Sequence, residues 1–534
     1  MNDADPTAGA PTTSLEAPLP GLRAGVEVEV SGETGALFDA TFGRRIKLDP
    51  RGLVLAQALA DATADRRPSA LAALAQTETK TVVTLTDRLS ALDLLDTPRA
   101  RARAKDRVSL AAVRATPAAH LRPIPGHRFG CTMCGSCCGG HNIGPVSDAI
   151  LDGLDAHLDA LEPAIRAARR IDKDLFFVLP GDRATPGRDV MCQASGGSCV
   201  FLDERGLCRI HAKVGGDAKP LPCRIFPWEL VLTPTGVRVA VQRECRDFLA
   251  ATADDRPLVR DAEAELVALV QQIPELPVAR LTPRLRGQEL ASWADVEALE
   301  ADLRAALAAP HPAPSSMPIE SSQLHPSMPI EASPDATSSL ATFAALAAAL
   351  PPASGDAPAA DFDAWRARLS THAKAILAAA PAPDARVSIR VDALRLLVAA
   401  LDAADGWTLA RALAPVEGEL ARLLSAHLDH ALWSTAPLRA TSIEGGLGRV
   451  HAEWLLARLM GIVRAREVKR FHVTTQDVQD GLANASFLFR HADLGPVLGE
   501  LDPLTAATFL DGCTGALAAA PDRTLDRRTE LVKF

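Results

Sequence analysis

The sequence predicts a mainly α, multidomain protein. It has a small N-terminal winged-helix-like α+β domain, a loop-rich cysteine-cluster metal domain and a helical C-terminal half. Three observations carry this. Apolar residues recur at helical spacing through most of residues 341–534. Aromatics make up 4% of the 534 residues and tyrosine is absent, so alanine and leucine, strong helix formers, fill the interior. Nine of the ten cysteines fall between residues 131 and 245, a density that no hydrophobic core requires. A chain of this length predicts roughly two to four domains.

Residues 1–22 are Pro, Ala, Thr and Asp without a period, as in a disordered tail. They carry acids where a secretory signal carries bases. No segment approaches the roughly 18 apolar residues of a membrane span. The expected location is cytoplasmic, where thiols stay reduced and disulfides are disfavoured. The net charge of −9 argues against a nucleic-acid partner. Nothing in the composition fixes the oligomeric state.

Residues 23–97 predict a small domain. "VEVEV" alternates with period two, "SGETG" reads as a turn and "RRIKLD" as a returning strand. Three short helical patterns follow, in "PRGLVLAQALAD", "RPSALAALAQ" and "TVVTLTDRLSALDLLD". Residues 98–126, opening on "PRARARAKDR", predict a solvated basic connector. Residues 306–340 repeat "HPAPSSMPIE" as "HPSMPIEAS" and read as a Pro/Ser linker.

The metal domain is expected over residues 127–305. "FGCTMCGSCCGG" places Cys131, Cys134 and Cys137 at C-x2-C-x2-C, with Cys138 adjacent. Such spacing turns successive sulfurs toward one point, as in zinc sites and ferredoxin loops. Gly135, Gly139 and Gly140 supply positive-φ freedom. Further ligands are expected from Cys192, Cys199, Cys208, Cys223 and Cys245. Neighbouring side chains point apart, so Cys137 and Cys138 either serve two sites or leave one thiol spare. The alternatives are one site or two, zinc or an iron–sulfur cluster (a 4Fe–4S cluster first), and a redox disulfide system. His141 and His211 are alternative donors for a mixed site. "SDAILDGLDAHLDALEPAIRAARR", capped by Ser147, is expected to form a helical excursion that returns the chain to the first loop. Cys513, in "LDGCTGALAA", reads as a small buried hydrophobe.

These motifs carry resemblances. "KLDPRG" and "LDLLD" make residues 23–97 similar to PqqD-like peptide-recognition domains, which implies a peptide added as a strand to the sheet edge. "FGCTMCGSCC", "GSCVFLDERGLCRIHAK" and "KPLPCRIFPW" closely resemble the CxxCxxCC cysteine-cluster family, the YkgJ-type zinc- or iron-chelating proteins. That resemblance covers roughly residues 127–248 and implies metal chelation. More narrowly, "CVFLDERGLCRIHAKVGG", "CRIFP" and Cys245 are similar to flagellin lysine-N-methylases, although Phe226, Pro227 and Trp228 stand where Tyr-Pro-Arg is frequent. Three functions follow: a metal- or cluster-binding protein, a protein lysine N-methyltransferase using S-adenosylmethionine, and a peptide-binding accessory protein. The last two imply a protein or peptide substrate. The catalytic residues are not indicated.

For S-adenosylmethionine the candidate is "SIEGGLGRVHAEWLLARL", where Gly445, Gly446 and Gly448 precede a helix. No strand-like run precedes them, so a loop and helix start is the simpler reading. Helices are expected over "DFDAWRARLSTHAKAIL", "RVDALRLLVAALDAA", "LARALAPVEGELARLLSAHLDHALW" and "GRVHAEWLLARLMGIVRAREV", with Thr474 or Thr475 capping another. His427, His430, His451 and His491 lack the Glu-x-x-His pairing of a dimetal bundle and read as surface or partner-bonded residues.

Overall fold

The computed structural model describes residues 17–127, 129, 134–135, 138–139, 146–178, 189–192, 197–246, 263–273, 275–285, 288–308, 342, 346, 362–379, 391–403, 412, 416–440, 442–470, 472–490 and 494. The chain is mainly helical, with a small N-terminal strand-containing region and a helical C-terminal half. Among the described residues no helix is long and apolar enough to cross a membrane. Most of the Pro/Ser linker, Cys131, Cys137, His141, His491 and Cys513 lie outside the described residues. Two compact units emerge: Met1–Thr116 with Glu289–Glu297, and Pro117–Gln288 with Ala298–Phe534.

In the first unit, β1 (Val26–Ser31), β2 (Thr34–Asp39) and β3 (Arg44–Leu48) form an antiparallel sheet in that order. The sequence reading had a two-stranded hairpin. Ser31 pairs with Thr34 across Gly32 and Glu33, so the turn needs two residues and not the five of "SGETG". Gly32 takes φ 63° there, which glycine accepts without a Cβ clash. The residues freed from that turn build β2.

Asp49 caps α1 (Pro50–Ala60) by accepting from the Gly52 N–H at 2.7 Å, with Pro50 in the first turn. Leu53, Leu55 and Leu59 of α1 then bury against Leu37 of the sheet, Leu71 of α2 (Pro68–Leu74) and Val82 and Leu89 of α3 (Thr79–Ala91). Each such leucine contributes about 1.5–3 kcal/mol. Leu19 joins this core and its N–H donates to the Arg66 carbonyl at 2.9 Å, so ordered structure begins inside the expected tail. The basic run 98–115 is also not a connector. It is α4 (Pro98–Ala115), whose Arg103 is buried against Asp93 at 3.1 Å and Glu289 at 2.9 Å.

The second unit is built on β4 (Leu121–Pro123). The expected excursion is α5 (Asp148–Asp155), a 3-10 turn and α6 (Glu162–Arg170). Ser147 occupies the cap position of α5, but its side chain makes no capping bond. β5 (Phe176–Val178) and β6 (Asp189–Met191) then pair antiparallel. Two short helices follow, α7 (Arg209–Lys213) and α8 (Leu221–Ile225), and then β7 (Trp228–Thr233) and β8 (Gly236–Val241). The sheet order is β4–β8–β7, and every residue of β7 and β8 is buried.

Buried polar residues on those strands need partners. They find them on α10 (Trp293–Ala308) and on the C-terminal helices that follow α9 (Glu263–Gln272) and α10. Those helices are α11 (Phe362–Ala379), α12 (Val391–Asp402), α13 (Gly418–Trp433), α14 (Ile443–Glu467) and α15 (Thr475–Arg490). Arg238 pairs with Glu300 and lies 4.6 Å from the ring centre of Trp433. Glu229 accepts from Arg439 at 2.7 Å and Arg490 at 3.0 Å. Although burial opposes ionisation, Arg490, Arg439 and Arg243 hold the Glu229 carboxyl down at about 2.

α14 and α15 cross closely. A Cβ on Gly446 would run into the Pro437 carbonyl, and one on Gly481 into the Ala457 carbonyl. Thr474 is the cap of α15: its hydroxyl accepts from the Asp477 N–H at 3.2 Å, while Asp477 accepts from the Thr474 N–H at 2.8 Å. The "RAREVKR" run is partly tied down, since Arg464 pairs with Asp480 at 3.1 Å and Arg470 with Asp477 at 2.6 Å.

Candidate metal centre

The first cysteine loop meets the later cysteines through its backbone. The Cys199 N–H donates to the Cys138 carbonyl at 2.7 Å, and Gly139 bridges to Ser198. The Cys192 N–H donates to the Leu175 carbonyl at 2.8 Å, just before β5, and the Cys192 carbonyl accepts from Val200 at 3.3 Å. The β5–β6 pair therefore returns the chain so that Cys192 and Cys199 lie side by side.

"DERG" forms the next turn. Asp203 accepts from the Leu207 N–H at 2.8 Å and the Arg205 N–H at 2.9 Å, and Gly206 takes φ 79°. The turn folds Cys208 back to bridge with Leu202 and places it at the start of α7. Gly135, at φ 71°, passes over this turn. A Cβ there would sit 3.3 Å from the Gly206 carbonyl oxygen. That close approach explains a glycine in the middle of the cysteine loop.

Cys138, Cys192, Cys199, Cys208 and Cys223 share one apolar cluster with Phe201, Leu161 and Ile210. Cys192 and Cys199 are buried, while Cys138, Cys208 and Cys223 are half-buried and Cys134 is exposed. Burial pushes the Cys199 thiol up to about 12, and Cys223, Cys208 and Cys192 push it the same way. Cys245 is buried but lies outside this cluster, on the turn after β8, where its N–H donates to the Gln242 carbonyl at 2.8 Å. His211 is exposed on α7. Among the described residues, no three Cys, His, Asp or Glu side chains come together as a metal ion needs.

As a donor set the cluster fits a thiophilic metal. Five cysteines share one apolar cluster, and zinc and iron–sulfur clusters both select thiolates. Burial opposes the ionisation of Cys199 that ligation requires, and a bound cation would supply the counter-charge.

The C-terminal helices add residues that the sequence pattern did not single out. His127, four positions before Cys131, reaches α13: its Nε2 lies 2.6 Å from the Asp429 carboxylate and its Nδ1 3.1 Å from Nε2 of His430. Arg304 also donates to Asp429 at 3.0 Å. Phe129 packs edge-on against Trp228 with ring centres 5.6 Å apart. His427, His430 and His451 are fully buried, not surface residues. His427 stacks on Trp454 at 6.0 Å, and its Nε2 lies 3.4 Å from the Val450 carbonyl. The sequence holds both partners, His127 and the "HLDH" run, but 303 positions apart.

The glycines offered for S-adenosylmethionine do something else. Ser442 caps α14 by accepting from the Gly445 N–H at 3.1 Å, and Gly445, Gly446 and Gly448 are buried in its first turns. Gly446 lets the helix approach Pro437, and a 3-10 turn, not a strand, precedes the three glycines.

The described geometry thus defines a cysteine-cluster domain joined to a helical scaffold. Residues 130–246 match the family model CxxCxxCC, described as "Putative zinc- or iron-chelating domain". No curated protein and no solved structure matches the chain.

Proposed function

We propose that residues 130–246 bind zinc or iron through cysteine thiolates, and that the helical C-terminal half is the scaffold for that centre. The observation that carries this is the Cys199-to-Cys138 backbone bond inside an apolar cluster of five cysteines. It ties the C-x2-C-x2-C loop to the later thiols. The C-x2-C-x2-C spacing adds Cys131 and Cys137 of the same loop to the proposed ligand set, for which a closed site has use. The finer reading is an iron–sulfur cluster, because the loop spacing is that of ferredoxins. Neither a methyltransferase nor a peptide-binding role is favoured by any described feature.

The test is anaerobic purification followed by metal analysis, acid-labile sulfide and a visible spectrum. Brown protein with labile sulfide supports the cluster. Colourless protein with stoichiometric zinc supports a structural zinc site. Protein that carries neither metal, and takes up neither on reconstitution, overturns the proposal.

A further inference from the structure

The hydrogen bonds around His430 have only one consistent direction. The Gln242 N–H donates to the Pro227 carbonyl at 2.7 Å, so by antiparallel alternation the preceding Val241 N–H points away from β7. It points at Nδ1 of His430, 3.3 Å away. A backbone N–H can only donate, so that nitrogen is the unprotonated one. The proton of neutral His430 is then on Nε2, which donates to Nδ1 of His127. His127 in turn carries its proton on Nε2 and donates to the Asp429 carboxylate, which can only accept. A donor at one end and an acceptor at the other fix both imidazoles as single neutral tautomers.

We propose that His430 is a positioning residue for metal binding: through His127 it holds the segment leading into the cysteine loop. This rests on the metal-binding reading above. Either ring in its other tautomer sets N–H against N–H: His127 at the central contact, and His430 at the Val241 N–H. The charged groups facing the pair are Asp429 and Arg304 at the outer end and Glu229 and Arg243 at the inner end. Asp429 is shared between His127 and Arg304. Phe129, two residues further on, packs on Trp228 and anchors the same segment.

The test compares the full chain with two variants, measuring the rate at which bound zinc or iron passes to a chromophoric chelator at one fixed pH of about 8. His430→Phe cuts the chain and is expected to release metal roughly 10–100-fold faster, the usual cost of losing an outer hydrogen-bond partner of a metal site. His127→Gln keeps one acceptor and one donor and is expected to release metal like the wild type. Release from His430→Phe that matches the wild type, or from His127→Gln that matches His430→Phe, overturns the proposal.

Spectra of 15N-histidine-labelled protein supply a readout that does not depend on metal. His127 and His430 are expected as Nε2–H tautomers, and Asp429→Asn is expected to mix them. Mixed tautomers in the wild type overturn the proposal even if metal is bound. If the wild type binds no metal, the metal-binding reading fails separately, and the positioning role for that metal falls with it while the tautomer result still decides the chain.

Discussion

Arg243, on the turn after β8, donates to Glu453 of α14 at 2.8 Å, and both side chains are buried. Glu453 also accepts from Ser486 of α15. One carboxylate thus joins the end of the cysteine segment to two C-terminal helices. Removing a single partner leaves a buried charge uncompensated, so Glu453→Ala is expected to cost about 3–5 kcal/mol. Disrupting the exposed Arg395–Asp392 pair should cost at most about 0.5 kcal/mol. Urea unfolding of the two variants measures the contrast.

Acid should destabilise the second unit well before its carboxylates titrate. Burial holds His427 down at about 4 and His430 and His451 at about 3, against 6.5 ordinarily. Below about pH 6.5 these histidines take up protons in the unfolded chain and not in the folded one. Their stabilisation is full above that pH and falls by about 1.4 kcal/mol per pH unit for each histidine until the folded values are reached. Glu229, held at about 2 against 4.5 ordinarily, adds a second loss as pH falls from 4.5 toward 2. Calorimetric Tm values should change little from about pH 7.5 to about 6.5 and fall steadily from there to about pH 5, and a Tm flat over the lower range would contradict this environment for the histidines.

Two glycine substitutions should act in opposite directions. Gly446→Ala puts a methyl group into the Pro437 carbonyl, and overpacking of this kind costs about 1–3 kcal/mol. Gly153→Ala, exposed on α5 with open space around its Cβ, should stabilise by about 0.4–1 kcal/mol through loss of unfolded-chain entropy. Denaturant midpoints distinguish the two.

Cys199→Ser and Cys134→Ser should each lower metal content and the unfolding midpoint together, because ligation and folding are coupled. Cys513→Ser should leave metal content unchanged. Metal analysis alongside circular dichroism checks all three, and full occupancy in Cys199→Ser would remove it from the ligand set.

Much of the helical half was legible because one face of each helix buries: Leu394, Leu397 and Leu401 of α12, or Leu423 and Leu424 of α13, follow the 3.6 period. The period fails on α14, which is buried nearly all round. That is why His451 and Glu453 could not be placed inside from pattern alone. β2 was hidden because Thr34 and Gly35 look like turn residues, and a two-residue turn released them. The cysteine spacing announced a centre, but the role of His127 depends on a contact with His430, 303 positions away. Local pattern carries no trace of such a pairing. α4 was misread for a related reason: arginines that look solvated in sequence are paired when Asp93 and Glu289 come within reach.

The all-buried hairpin of β7 and β8 also sets an order of events during synthesis. Its cover is supplied by α13 to α15, and the last of these ends at Arg490, whereas β8 ends at Val241. At usual elongation rates of about 5–20 residues per second, the hairpin emerges from the ribosome roughly 10–50 s before its cover is complete. Throughout that interval this ribbon and the neighbouring thiols stand open to solvent. The nascent chain is therefore most accessible to a metal donor, and most in need of a chaperone, in the same window.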